Sequence, residues 1–309
     1  MSNLAFVFPG QGSQKVGMLQ EAEAVVAAVF AEASSVLGYN LWELIQQGPE
    51  EKLNQTEFTQ PALLTASVAL WRLTIERGTF VPDVVAGHSL GEYSALVAAS
   101  VLDFKDAVSL VQQRGQFMQN AVPAGKGGMA AILGLDENQV VSICNDQKGL
   151  GIVQAANFNS PGQVVIAGEN EALIAAIAAC KTAGARRAMP LTVSAPFHSA
   201  LMQPAADNMR EALDNVTFRE PVIRVIQNVD ADYCDSPDKI KANLVKQMYS
   251  AVLWTDTIAR MISDDVNQIV ECGPGKVLSG LNRRIDKSAA TYSIQSLESL
   301  ETVLVELAE

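Results

Sequence analysis

The sequence predicts an α/β protein of two lobes, and three observations carry that prediction. First, Gly87-His88-Ser89-Leu90-Gly91 stands between the apolar run Val84-Val85-Ala86 and a run of small residues, Tyr93-Ser94-Ala95-Leu96-Val97-Ala98-Ala99. A buried strand, a tight turn and a helix in that order are what a G-x-S-x-G nucleophile elbow needs. Second, the texture changes near Gly125-Lys126-Gly127-Gly128, and the next stretch reads β-α-β-β-α-β, the ferredoxin-like order. Third, α/β texture resumes from about Ala195. The expected division is a large α/β-hydrolase-like lobe over 1–125 and 196–309, with a small ferredoxin-like lobe, 126–195, inserted into it.

The elements follow from local pattern. Leu4–Phe8 is a short apolar run ended by Pro9-Gly10, a buried strand entering a turn. Pro61 to Gly78 reads as a helix, with Pro61 in its first turn, Arg77 in its last and Gly78 as its stop. At the elbow, Gly87 and Gly91 let strand and helix approach closely. Ser89 then projects its hydroxyl at the positive end of the helix; the alternative is a plain helix start with Ser89 as N-cap. Asp103 can cap a further helix to about Gln119, with Phe104, Ala107, Val108, Val111 and Met118 on one face. In the small lobe, strands are expected at Met129–Leu133, Ile152–Ala156, Gln163–Ala167 and Ala188–Val193, and helices at Glu137–Gln147 and Glu171–Ala183. Val222–Asn228 and Gln268–Glu271 are expected strands of the large lobe. The tail after Ser288 carries little signal.

A chain of 309 residues, 49% hydrophobic and 18% charged, is large enough to bury a full core. No apolar stretch approaches the ~18 residues that span a membrane, and Met1–Phe8 lacks the basic leader of a secretion signal. Neither a membrane nor a secreted protein is expected. Cys144, Cys180, Cys234 and Cys272 form no C-x-x-C pair; they are expected as reduced, mostly buried thiols of a cytoplasmic protein. A net charge of −12 argues against binding nucleic acid. An acidic partner would need a local basic patch. Lys181 with Arg186 and Arg187, or Lys276 with Arg283, Arg284 and Lys287, would supply one, though each also reads as an ordinary solvated face.

Arg114 falls on the apolar stripe of its helix, where a guanidinium needs a counter-charge. Its helical neighbours at 110, 111, 117 and 118 are Leu, Val, Phe and Met, so the partner comes from elsewhere in the fold or from the substrate. The fork geometry suits a carboxylate; a buried ion pair with a distant acid is the other reading. Only two histidines occur, His88 and His198. Pro196 disfavours a helix interior around His198, which places it on a loop or a helix start after the small lobe, at the cleft between lobes, within reach of Ser89. His88 is adjacent to Ser89, but consecutive side chains diverge at a sharp elbow, so it reads as packing or cleft lining. No acid is placed to orient His198: Asp207, Asp230 and Asp232 all follow it, against the usual Ser, acid, His order. A thioester substrate, with its easy leaving group, asks less of the base. Pro9-Gly10-Gln11-Gly12-Ser13-Gln14 lacks the G-K-[ST] of a phosphate loop; as a turn, it could offer the Gln11 N–H to an oxyanion. Glu271-Cys272-Gly273-Pro274-Gly275-Lys276 is a second strand–turn–helix corner, read as structural.

Together these pieces resemble the malonyl-CoA:acyl carrier protein transacylase family over nearly the whole chain. The matching stretches are Phe8–Gln14, Thr59-Gln60-Pro61-Ala62, Gly87–Glu92, Arg114-Gly115, Asn159–Gln163, Pro196-Phe197-His198 and Glu271–Gly275. The resemblance implies Ser89 as nucleophile and His198 as base. It implies Arg114 as the partner of the malonyl carboxylate, and the Gln11 and Leu90 N–H groups as the oxyanion hole. It further implies that the main-chain carbonyl of Gln247 orients the histidine, and that Phe197 disfavours branched acyl groups. Malonyl-CoA and acyl carrier protein are the implied partners, with a ping-pong mechanism, no metal or redox cofactor, and nothing that requires more than a monomer. The stand-alone length is that of the discrete bacterial enzyme of fatty-acid synthesis. A discrete acyltransferase of polyketide assembly shares the chemistry. A serine esterase or thioesterase has no use for Arg114, and a non-catalytic carrier-binding module would not keep Ser89, His198 and Arg114 together.

Overall fold

A computed structural model describes residues 3–123, 125–193 and 195–308. In the first segment, strand β1 (Asn3–Phe8) leads into helices α1 (Glu23–Leu37), α2 (Leu41–Gln47), α3 (Glu50–Leu53) and α4 (Thr56–Arg77). Strand β2 (Val84–Gly87), α5 (Gly91–Ala98) and α6 (Phe104–Asn120) follow. The small lobe then runs β3 (Gly127–Leu133), α7 (Glu137–Asp146), β4 (Val153–Ser160), β5 (Gln163–Glu169), α8 (Asn170–Thr182) and β6 (Arg187–Pro190). The chain returns through α9 (Gln203–Asp214), β7 (Arg224–Ile226), α10 (Pro237–Tyr249), β8 (Val252–Leu253) and α11 (Trp254–Ser263). It ends with β9 (Val266–Cys272), α12 (Val277–Ile285), β10 (Ala290–Ile294) and α13 (Leu297–Ala308).

The large sheet is parallel, in the order β10-β9-β1-β2-β7. Its strands bury both faces, as parallel strands covered by helices must. Alternate residues of β1 go opposite ways: Leu4, Phe6 and Phe8 enter the core built with α1, α4, α5 and α6, while Ala5 and Val7 join Val84, Ala86, Trp254 and Ile258 on the other side. Phe8 is in register with Gly87, so β1 and β2 end side by side. Ligands of open α/β sheets sit outside such carboxyl ends.

The small sheet has the order β6-β3-β5-β4, antiparallel throughout, which is the ferredoxin-like arrangement expected from the sequence. A fifth strand, β8, joins β4 in parallel from the later part of the chain. Helices α7 and α8 cover one face around Ile132, Val140, Val164, Ile166 and Leu173.

Three local expectations are corrected. Pro61 is inside α4 rather than in its first turn. Gln55 O already accepts from the Phe58 and Thr59 N–H groups, so the helix is nucleated before the proline removes a donor. The strand expected at Val222–Asn228 is only Arg224–Ile226, and Gln227 and Asn228 turn away into the interior. Strand β6 stops at Pro190. The uninformative tail forms β10 and α13, which close the sheet edge. All four cysteines are free and buried. Among the described residues no single helix is long and apolar enough to cross a membrane.

Candidate active site

The elbow is built on close backbone contact. A Cβ on Gly87 would fall inside the backbone of Gly91, and one on Gly91 would fall inside the carbonyl of Phe8. Ser89 itself takes a left-handed backbone, φ 53°, unusual for a residue with a side chain. Asn228 holds this turn from both sides: its Oδ1 accepts from the Ser89 N–H at 2.7 Å and its Nδ2 donates to the Gly87 carbonyl at 2.7 Å. Strain at such a site persists only where the surroundings over-determine it.

His198 also has a left-handed backbone, φ 58°, in the loop between β6 and α9. Its Nε2 is 2.7 Å from Ser89 Oγ, and its Nδ1 is 2.8 Å from the Gln247 carbonyl oxygen. A carbonyl only accepts, so Nδ1 carries the proton and Nε2 is free to take one from the serine. That carbonyl stands where the sequence offered no acid. Burial first, then the Arg114 charge, push the His198 pKa down to about 3, so the ring is neutral near pH 7. His88 lies outside this relay, its Nε2 on Asn159 Oδ1 at 2.8 Å and its ring against Trp254.

Arg114 is 1% exposed, as its place on the apolar stripe of α6 predicts. Its partners are neutral. Nη1 donates to Gln60 Oε1 at 2.8 Å, and Nη2 donates to Gln247 Oε1 at 2.8 Å and to Ser89 Oγ at 3.1 Å. The guanidinium lies over the Tyr93 ring, 5.6 Å from its centroid. Among the described residues no carboxylate comes within ion-pair distance of it. Gly115 makes this placement possible: a Cβ there would meet Glu57 Cα at 2.6 Å and Thr56 O at 2.7 Å, so α6 presses on the first turn of α4 and reaches Gln60.

These groups open on a cleft of about 740 Å³ between the lobes, lined by Gln11, Ser89, Leu90, Arg114, Phe197 and His198 among others. The Gln11 and Leu90 N–H groups donate to no protein acceptor among the described residues. All seven residues singled out from the sequence therefore gather at one place, with Gln247 behind the histidine. Sequence reading missed the layer beneath. Glu92, Gln227, Asn228 and Asn243 form a buried polar network with Gln247. Gln60 and Glu92 stood inside motif stretches, but nothing local in the sequence shows a partner for either.

Comparison with known proteins agrees with this geometry. A family model described as "Acyl transferase domain" matches residues 5–297. The malonyl CoA-acyl carrier protein transacylase of Escherichia coli K12 is 55% identical over 307 residues, covering 98% of this chain and 99% of that one. The corresponding transacylase structure from Coxiella burnetii superposes with a TM-score of 0.98 at 45% identity, covering 100% of this chain and 98% of that one. A malonyl-transacylase solved in complex with its type II PKS acyl-carrier protein gives 0.97 at 51% identity, covering 99% and 100%. A likeness of this extent over full length leaves one assignment: the chain belongs to the acyl transferase domain family and, within it, to the malonyl CoA-acyl carrier protein transacylases.

Proposed function

We propose that this protein transfers the malonyl group of malonyl-CoA to the phosphopantetheine thiol of acyl carrier protein, through a malonyl-serine, supplying extender units for fatty-acid synthesis. The observation that carries this reading is Arg114: a fully buried guanidinium with only neutral partners, its Nη2 3.1 Å from the Ser89 hydroxyl. Such a charge is costly unless a ligand supplies the missing carboxylate. It stands where the far end of a short dicarboxylic acyl group would lie.

Each step has a group in place. The malonyl carboxylate pairs with Arg114. Ser89 Oγ attacks the thioester carbon while His198 Nε2 takes its proton, and the Gln247 carbonyl steadies the imidazolium. The developing oxyanion is received by the Gln11 and Leu90 N–H groups. Coenzyme A leaves with the proton from His198. The carrier thiol then gives its proton to His198 and attacks the malonyl-serine, and Ser89 is regenerated. Phe197, 7% exposed at the cleft wall, limits bulk at the acyl α-carbon. The steps balance without a metal or redox cofactor. A cytoplasmic setting suits four free thiols and a coenzyme A substrate. A polyketide carrier would be served by the same chemistry, and the neighbour solved with one supports that second reading; relative kcat/KM for the two carriers separates them.

The test is intact-protein mass after brief mixing with malonyl-CoA or acetyl-CoA, for wild type and Ser89→Ala. A malonyl adduct on wild type alone, with little acetyl adduct, is expected. An unmodified wild type that hydrolyses the thioester would replace transfer by thioesterase chemistry.

A further inference from the structure

Glu92 is a fully buried acid to which the transfer chemistry gives no role. It lies in the first turn of α5, 1% exposed. Its Oε1 accepts from Gln227 Nε2 at 3.0 Å, and its Oε2 accepts from the Asn228 N–H at 2.9 Å and from Gln247 Nε2 at 3.1 Å. Three donors and no acceptor make the setting of an ionised carboxylate. No cation touches it. The Gln247 amide stands between it and the nearest one, with Nε2 on Glu92 and Oε1 on Arg114 Nη2. A negative and a positive charge thus bracket one amide and fix which way it faces.

We propose that Glu92 is a positioning residue, the resident counter-charge of Arg114, and that capture of the malonyl carboxylate by Arg114 is coupled to uptake of one proton by Glu92. This rests on the malonyl-transfer reading above. An incoming carboxylate neutralises Arg114, withdrawing the attraction that keeps Glu92 ionised, and adds a like charge in a site of low dielectric. A proton from water on Glu92 relieves both. Burial already pushes the Glu92 carboxyl up to about 7, against the three donated bonds and Arg114, so the change falls in the neutral range.

The other groups around Glu92 hold their charge through that event. Tyr93, beside it on α5, is kept a neutral phenol by burial. His198 and His88 are kept neutral by burial. From α10, Asn243 carries no charge. Asp230 lies behind it, 3.2 Å away, paired with Lys239 at 3.5 Å. From the segment that follows β7, only the neutral Gln227 and Asn228 face the carboxyl. The sign follows. Below pH 7 Glu92 is largely neutral and does not oppose malonyl capture. Above it, capture must draw a proton from water, and affinity falls as pH rises.

The test is isothermal titration of Ser89→Ala protein, which cannot be acylated, with malonyl-CoA and with acetyl-CoA. It runs from pH 6 to 8.5 in two buffers of different ionisation enthalpy. Malonyl-CoA should take up a proton fraction of about 0.3 to 0.5 at its maximum between pH 7 and 8, beyond any uptake by acetyl-CoA, which carries the same phosphates. Its Kd should weaken about three- to tenfold over the range, the factor given by a shift of half to one pKa unit. In Ser89→Ala/Glu92→Gln protein, malonyl-CoA should bind tighter at pH 8 by the same factor and independently of pH. A variant that merely damaged the fold would bind more weakly. Equal proton uptake by both ligands, or a pH slope unchanged by Glu92→Gln, overturns the proposal. The buffer comparison leaves Glu92 intact and decides the matter even if the Gln variant does not fold. Absence of any malonyl-serine on wild type would instead overturn the transfer reading itself.

Discussion

Two strand–turn–helix corners lie on neighbouring parts of the same sheet, and each has a buried glutamate. At the β9–α12 corner, Glu271 turns its carboxylate onto its own helix, accepting from the Leu278 N–H at 3.0 Å and the Ser279 N–H at 2.7 Å. That helix start is satisfied and closed. At the β2–α5 corner, Glu92 faces away from the helix start, toward donors from α10 and from the two residues after β7, and the Leu90 N–H is left without a protein acceptor among the described residues. An unsatisfied helix N-terminus is a ready place for developing negative charge. The two corners share a backbone plan and a residue type. What differs is which donors the acid satisfies, and that decides whether the corner is a joint or a site.

Removing the clamp at the open corner should give the largest effect. Asn228→Ala deletes the acceptor of the Ser89 N–H and the donor to the Gly87 carbonyl. Malonyl loading in rapid-quench assays should fall about a hundredfold, and stability should drop by about 1–3 kcal/mol from the unpaired buried groups. Full activity in a folded Asn228→Ala protein would show that the elbow holds itself. The closed corner should respond differently. Glu271→Gln weakens the α12 start and should cost about 1–2 kcal/mol, seen as a lower Tm of a few degrees, with the loading rate unchanged below the transition. A rate loss there would erase the distinction between joint and site. The smallest expected effect is an absence of change with pH. His198 is held at about 3, below its ordinary value, so the base stays neutral throughout the mildly acidic range. Single-turnover loading at saturating malonyl-CoA should stay level from pH 8 to 5. An acid limb with a midpoint near 6.5 would mean that the ring titrates like an exposed histidine.

The elbow was legible because its requirements are local: two glycines, a serine, and apolar flanks of the right kind. Arg114 was legible because a charge on an apolar stripe breaks helical period, but the distant acid that one reading gave it is not there among the described residues: the groups that hold it, Gln60 and Gln247, are neutral amides 54 and 133 residues away. The ferredoxin-like order was readable from alternating strand and helix texture. The polar layer under the site was not. Glu92, Gln227 and Asn228 look in sequence like residues of a helix and of a strand end, and their pairing is set by the fold alone. The expected strand over Val222–Asn228 was too long for the same reason: Gln227 and Asn228 are buried by their network rather than by a ladder. Pro61 misled because a proline in the first turn and one just after it look alike in sequence.

The short strand β8 begins five residues after Gln247. It pairs with β4 of the small lobe at Asn157 and Phe158, and the Leu253 N–H donates to the Asn228 carbonyl at 3.0 Å. The floor of one lobe is thereby stitched to the segment that steadies the histidine and to the residue that grips the elbow. A carrier protein that leaned on the small lobe and tilted it would pull on both. The link between the lobes and the alignment of the reacting atoms are a single mechanical part.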